Sequence, residues 1–92
     1  MSILVIAHEP QKTLRRLVRG ALRNVSFDDM VNLAEGFGFQ LIRVTGSHHI
    51  FSHSDIPGLI NLQSVKGEAK SYQIRQFLRM VERYNLRLED DR

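Results

Sequence analysis

The fold turns on one stretch, Gly38-Phe39-Gln40-Leu41-Ile42-Arg43-Val44-Thr45-Gly46-Ser47-His48-His49-Ile50-Phe51-Ser52-His53. Residues 39–44 are rich in Phe, Leu, Ile and Val, the composition of a β-strand. Thr45-Gly46-Ser47 supplies turn chemistry, because Gly reaches positive φ and Ser bonds its own backbone. Residues 48–53 then return as a second strand. Side chains alternate along a strand, so His48, Ile50 and Ser52 share one face, and His49, Phe51 and His53 the other. Phe51 is the largest apolar residue of the segment and points its face at the core. His48 is thereby expected on the open face, beside the Gly46-Ser47 turn.

The pattern extends outward from this hairpin. A third strand is expected over 59–65, after a turn at 54–58 that contains Pro57. Residues 66–70, around Gly67, read as a loop. A helix over 71–84 would bury Ile74, Phe77, Leu78, Val81 and Tyr84, with Ser71 as N-cap. Before the hairpin, Ser26 can accept the backbone N–H of Asp29 and so start a helix. Asp28 and Asp29 suit its first turn, where the dipole is positive. Phe27, Met30, Val31, Ala34 and Phe37 form its stripe, and Gly38 ends it. Helices flanking hairpin-linked strands imply an α+β sandwich, with one antiparallel sheet and both helices on one face.

Two features lie outside that core. Residues 10–23 form an amphipathic helix on Leu14, Leu17, Val18, Ala21 and Leu22, with a possible stop at Gly20, which costs about 1 kcal/mol relative to Ala. Its other face carries Lys12, Arg15, Arg16, Arg19 and Arg23 with no acid between them. Residues 1–9 have no partner pattern. A mobile arm is the preferred reading over an added edge strand or a product of start-site choice. Residues 1–25 thus form an arm and basic helix, 26–84 the main domain, and 85–92 an acidic tail.

Composition excludes several function classes. The chain has 92 residues, which allows one domain. It has no cysteine, so a disulfide framework, a thiolate nucleophile and a cysteine zinc site are ruled out. So short a chain needs most of its apolar residues for its core and has little room for a deep cleft or a large cofactor; none is expected. Thirteen Lys and Arg against ten Asp and Glu leave a charge of +3, which favours an anionic partner. The longest apolar run, Ile3 to Ala7, is five residues, far short of the ~20 needed to span a bilayer. A cytoplasmic location without membrane contact is expected.

Histidine is the chemical candidate. His49 and His53 share a face but stand about 13 Å apart along a strand, which makes joint metal ligation hard. No metal site is expected. Ser47 sits beside His48 and not on a strand–turn–helix elbow, so turn bonding is preferred to a nucleophilic role. An imidazole alone can still cleave RNA, because RNA carries its own nucleophile in the 2′-hydroxyl. Histidine exchanges protons near neutrality and can serve as general base or acid. Gly46 would let a phosphate approach the backbone for want of a Cβ. Arg43, Lys66 and Lys70, at strand and loop ends of the same region, are candidate phosphate holders. On this chemistry alone, a surface histidine with no role is an equal reading.

The run from the Ser26 helix through Gly46-Ser47-His48-His49-Ile50-Phe51 to Lys66-Gly67-Glu68-Ala69-Lys70 and the last helix resembles the HicA family of mRNA-interferase toxins. The resemblance covers roughly residues 26–84. Its most specific element is Gly-Phe-x-Leu-x-Arg-x-x-Gly-Ser-His, from Gly38 to His48. It implies a double-stranded-RNA-binding-like fold of helix, three antiparallel strands and helix, here with an additional N-terminal helix. It implies that His48 is catalytic, that Gly46 is the glycine of the Gly-Ser pair, that the substrate is mRNA, and that a HicB-type antitoxin covers the site. DNA binding by the chain alone is not expected, and self-association stays open. The basic helix could extend the RNA surface, contact the antitoxin or mediate self-association, while its apolar stripe packs on the core. Two other classes compete: a non-catalytic RNA-binding module, supported by the Arg75, Arg79, Arg83 stripe, and a protein–protein adaptor, supported by Tyr72, Tyr84 and the apolar run at 3–6.

Overall fold

The computed structural model describes residues 2–89, with side chains described from Pro10 onward. The order is α1 (Ser2–Val18), α2 (Phe27–Gly36), β1 (Gln40–Thr45), β2 (His48–His53), β3 (Ile56–Val65), β4 (Glu68–Ala69) and α3 (Ser71–Arg83). The strands form one antiparallel sheet in the order β1-β2-β3-β4. The architecture is α+β and double-stranded-RNA-binding-like, with an N-terminal helix added.

Register fixes the two faces. Phe51 pairs with Ile60, and His49 with Leu62. Directly paired residues share a face. Phe51, Ile60 and Leu62 are buried in one cluster with Met30, Leu33 and Ala34 of α2, Phe37 just beyond it, and Ile74 and Phe77 of α3. The rings of Phe37 and Phe77 meet edge-on at 5.7 Å, and Phe39 lies 5.4 Å from Phe77. Each fully buried Phe or Leu of this layer contributes roughly 1.5–3 kcal/mol. α1 packs against α2 and adds Leu17, only 2% exposed, to the same core.

The two turns at one end of the sheet follow from single residues. Gly46 has φ +59 and Ser47 follows it between the paired Thr45 and His48, a two-residue hairpin with the glycine in the position that needs positive φ. Lys66 and Gly67, at φ +53 and +79, make the doubly positive turn that brings β4 back beside β3.

Several sequence expectations are corrected. The helix read over 10–23 starts at Ser2 and ends at Val18, so residues 2–9 belong to its backbone and not to an arm. Pro10 lies inside it and is buried, near where a Cβ on Gly36 would lie (3.3 Å), so its packing offsets the missing N–H. The chain then leaves the helix where Arg16 donates to the carbonyls of Arg23 and Asn24. The sheet has four strands, not three, because part of the 66–70 loop is β4. β3 begins at Ile56, three residues before its expected start. Pro57 is tolerated there because only Ser64 and Val65 of β3 pair with β4, so no ladder bond is lost on that side. Ser71 is not an N-cap: Lys70 holds that position, and the Ser71 hydroxyl donates to the Leu22 carbonyl at 2.9 Å. Ser26 does cap α2, accepting the Asp29 N–H at 3.4 Å. Leu88, in the segment read as tail, is 5% exposed and part of the core. Met1 and residues 90–92 of the acidic tail lie outside the described residues.

Candidate functional site

The open face of the sheet carries the alternate residues of each strand. Thr45 pairs with His48, Arg43 with Ile50, and Ile50 also with Asn61, so these side chains share that face. Arg43 is thus the diagonal neighbour of His48, at a separation of roughly 7–8 Å between backbone positions. His48 is exposed. Its Nδ1 lies 3.2 Å from Asn61 Oδ1 and 3.0 Å from Asn61 Nδ2. Its Nε2 has no protein partner among the described residues.

Structure separates the three clustered histidines by environment. His49 faces the helices and packs on Phe27 with ring centroids 4.7 Å apart. Its Nδ1–H donates to the Ser47 carbonyl at 3.1 Å, which steadies the hairpin turn. His53 is spent on structure at both nitrogens. Its Nε2–H donates to the Phe37 carbonyl at 3.0 Å, and its Nδ1 accepts the Asp55 N–H at 3.0 Å. His48 alone of the three stands on the open face, held at one nitrogen by a side-chain amide and available at the other.

That amide is not apparent from the sequence. Asn61 is an ordinary polar residue of an alternating strand, and only the register places it diagonal to His48. With Nδ1 protonated, Asn61 Oδ1 accepts from it whether or not Nε2 also carries a proton. In that tautomer the bond serves neutral imidazole and imidazolium, and the neutral ring keeps its Nε2 lone pair for an incoming proton; with Asn61 Nδ2, the nearer atom, donating to Nδ1, the proton would sit on Nε2.

The expected phosphate holders divide. Arg43, Gly46, Ser47 and His48 come together at one end of the open face. A Cβ built on Gly46 would meet nothing within 4 Å, so the turn is open to an approaching group, while its positive φ is what the hairpin demands. The Ser47 carbonyl accepts the Ser64 N–H at 3.1 Å, which ties the turn to β3. Lys66 occupies the β3–β4 turn at the same end of the sheet. Lys70 follows β4, and its Nζ lies 5.8 Å from the centre of the Tyr72 ring, so its charge is engaged by an aromatic face. Gln73 anchors the start of α3 by accepting the Gln63 N–H at 2.7 Å. Among the described residues, no three His, Asp or Glu side chains gather as a metal site would require.

A helix, hairpin-linked strands and a helix, with an open sheet face that bears His48 and Arg43, define a small RNA-binding-type α+β domain. Residues 27–82 match the family model described as the HicA toxin of bacterial toxin–antitoxin systems. That is more than half of the chain, and the chain belongs to this family. No curated protein matches it significantly, and neither does any solved structure. Membership implies, in general terms, a toxin–antitoxin role, ribonuclease activity, an RNA substrate and an antitoxin partner. The matched segment runs from α2 into α3 and leaves α1 outside. No described helix is long and apolar enough to cross a membrane.

Proposed function

We propose that this chain is an mRNA interferase in which His48 is the general base for cleavage by the RNA's own 2′-hydroxyl. The observation that carries the reading is the state of His48: exposed on the open face, with Nδ1 held by Asn61 and Nε2 unpartnered among the described residues. Nε2 accepts the 2′-hydroxyl proton as the 2′-oxygen bonds to phosphorus and the bond to the 5′-oxygen breaks. The departing 5′-oxygen takes a proton from water, and the imidazolium then gives its proton up as acid. The products are a 2′,3′-cyclic phosphate and a 5′-hydroxyl. Entering and leaving oxygens stand in line on opposite sides of phosphorus, so one imidazole serves one of them directly. Arg43 beside His48, with Lys66 in the next turn, supplies positive charge where the phosphorane gathers negative charge. Gly46 and Ser47 let the phosphate lie close to the turn, and Lys70 acts from the rim of the same end.

Residues 26–84 are the working unit in this reading, and 1–25 and 85–92 support it by sharing its core through Leu17 and Leu88. A HicB-type antitoxin would silence the enzyme by covering the open face, where Leu59, 54% exposed, offers an apolar contact in line with Ile50 and His48. Cleavage of a defined RNA by wild type and His48→Ala tests the proposal. Loss of cleavage with retained fold and antitoxin binding supports it, and undiminished cleavage removes it.

A further inference from the structure

The arginine clusters of the first and last helices, far apart in sequence, are brought together by the fold. The Ser71 hydroxyl at the start of α3 bonds the Leu22 carbonyl just beyond the end of α1. Leu14 and Val18 of α1 and Leu78 and Val81 of α3 line one groove of about 500 Å³. α1 and α3 therefore both border this groove, on the helix side of the molecule, away from His48. Residues four apart form a ridge on a helix. Ser71, Arg75, Arg79 and Arg83 are one such ridge. Arg15 and Arg19 form another on the solvent side of Leu14 and Val18. All five arginines are exposed, and none makes an ion pair with a described residue. Glu82 is the one carboxylate lining the groove among the described residues. Arg16, by contrast, is spent on backbone carbonyls and takes no part.

We infer that these two arginine ridges form a docking surface for the phosphate backbone of RNA, separate from the His48 face and built partly from a helix outside the family match. Arginines repeat about every 6 Å along each ridge. Two such rails suit a polymer with regularly repeated charge better than a protein surface, whose acids follow no such period. The guanidinium fork matches phosphate oxygens; Arg19 spends only its Nε on the Arg15 carbonyl at 3.4 Å, and Arg83 lies 5.7 Å from the Tyr84 ring centre, so both keep donors for a phosphate. Phosphate contacts carry no sequence information directly, so binding here would be indifferent to sequence. The surface rests on the family's action on RNA, and it would hold the strand while the opposite face cuts.

Binding of a fluorescein-labelled 16-nucleotide 2′-O-methyl RNA tests this, measured between 50 and 200 mM salt. That probe lacks the nucleophile, so the result does not depend on whether His48 is catalytic. The five ridge arginines by themselves contribute about −3.5 to the log–log salt slope, a loss of about 100-fold in affinity over that range. Arg15→Gln with Arg19→Gln, and Arg75→Gln with Arg79→Gln, should each make the slope shallower by about 1.4. Asn32→Glu with Ser54→Glu changes net charge equally on other surfaces and should leave the slope at its wild-type value. Equal effects of all three pairs would mean that only net charge matters, and the surface assignment fails. Unchanged binding in both arginine variants would also overturn it and leave an acidic protein as the partner of these ridges. Cleavage by His48→Ala, if seen, would refute the catalytic reading alone.

Discussion

Asn61 is the side chain that holds His48 at Nδ1. A donor or acceptor held at Nδ1 decides which proton state Nε2 presents. Removing the amide by Asn61→Ala leaves His48 free to rotate, at a cost of about 1 kcal/mol of positioning, or roughly fivefold in rate. We expect kcat to fall by about that factor with KM unchanged, because Asn61 meets the histidine and not the RNA. A change confined to KM would assign Asn61 to substrate binding instead. His53 gives the opposite expectation. Both of its nitrogens hold backbone groups, so His53→Ala should lower stability by about 1–3 kcal/mol in denaturant melts while the folded fraction cleaves normally. The neighbouring histidines thus separate by environment. Alternation in 48–53 was enough to place His48 outward and Phe51 inward. It could not show that Asn61 meets His48, because a diagonal contact depends on cross-strand register, which hairpin geometry sets.

At the scale of elements, what was legible followed from periodicity and strong local signals. Ser26 with Asp28 and Asp29 marked the start of α2, and Gly46-Ser47 marked the hairpin. β4 escaped because two residues cannot show a period. Its strand character comes from partners distant in sequence: the Ala69 N–H donates to the Val25 carbonyl at 2.9 Å, and Glu68 bridges to Ser26. Pro57 masked the early part of β3, since a proline reads as a break unless the strand's other edge is known to be unpaired. Ser71 looked like a cap because its bond to Leu22 is tertiary. The Gly46 turn has a measurable cost attached. Gly46→Ala forces a side chain into the left-handed region and should destabilise the fold by about 1–2 kcal/mol, read from the denaturant midpoint at constant m. A neutral result would mean that the turn relaxes to another form.

For the whole molecule, α1 decides how the chain departs from a plain helix–sheet–helix domain. Its apolar stripe is a structural requirement: Leu17 is as buried as the residues of the central layer. Leu17→Ala should cost about 2–5 kcal/mol. A loss below about 0.5 kcal/mol would return α1 to the status of an appendage. Charge is also distributed by side. Asp28, Asp29 and Glu35 lie on α2, exposed arginines lie on α1 and α3, and Arg43 lies on β1 and Lys66 in the β3–β4 turn. On the proposed mechanism a short basic chain without cysteine needs only a shallow surface, because the nucleophile comes with the substrate.

Cleavage of one end-labelled RNA by wild type and by His48→Ala, followed over time, decides whether His48 moves the proton. The variant should lose about 10²–10⁴-fold in rate. It should melt at the wild-type temperature and bind 2′-O-methyl RNA unchanged. Wild-type products should end in a 2′,3′-cyclic phosphate. A variant that cuts at the wild-type rate would contradict a catalytic His48 and place the proton transfer elsewhere.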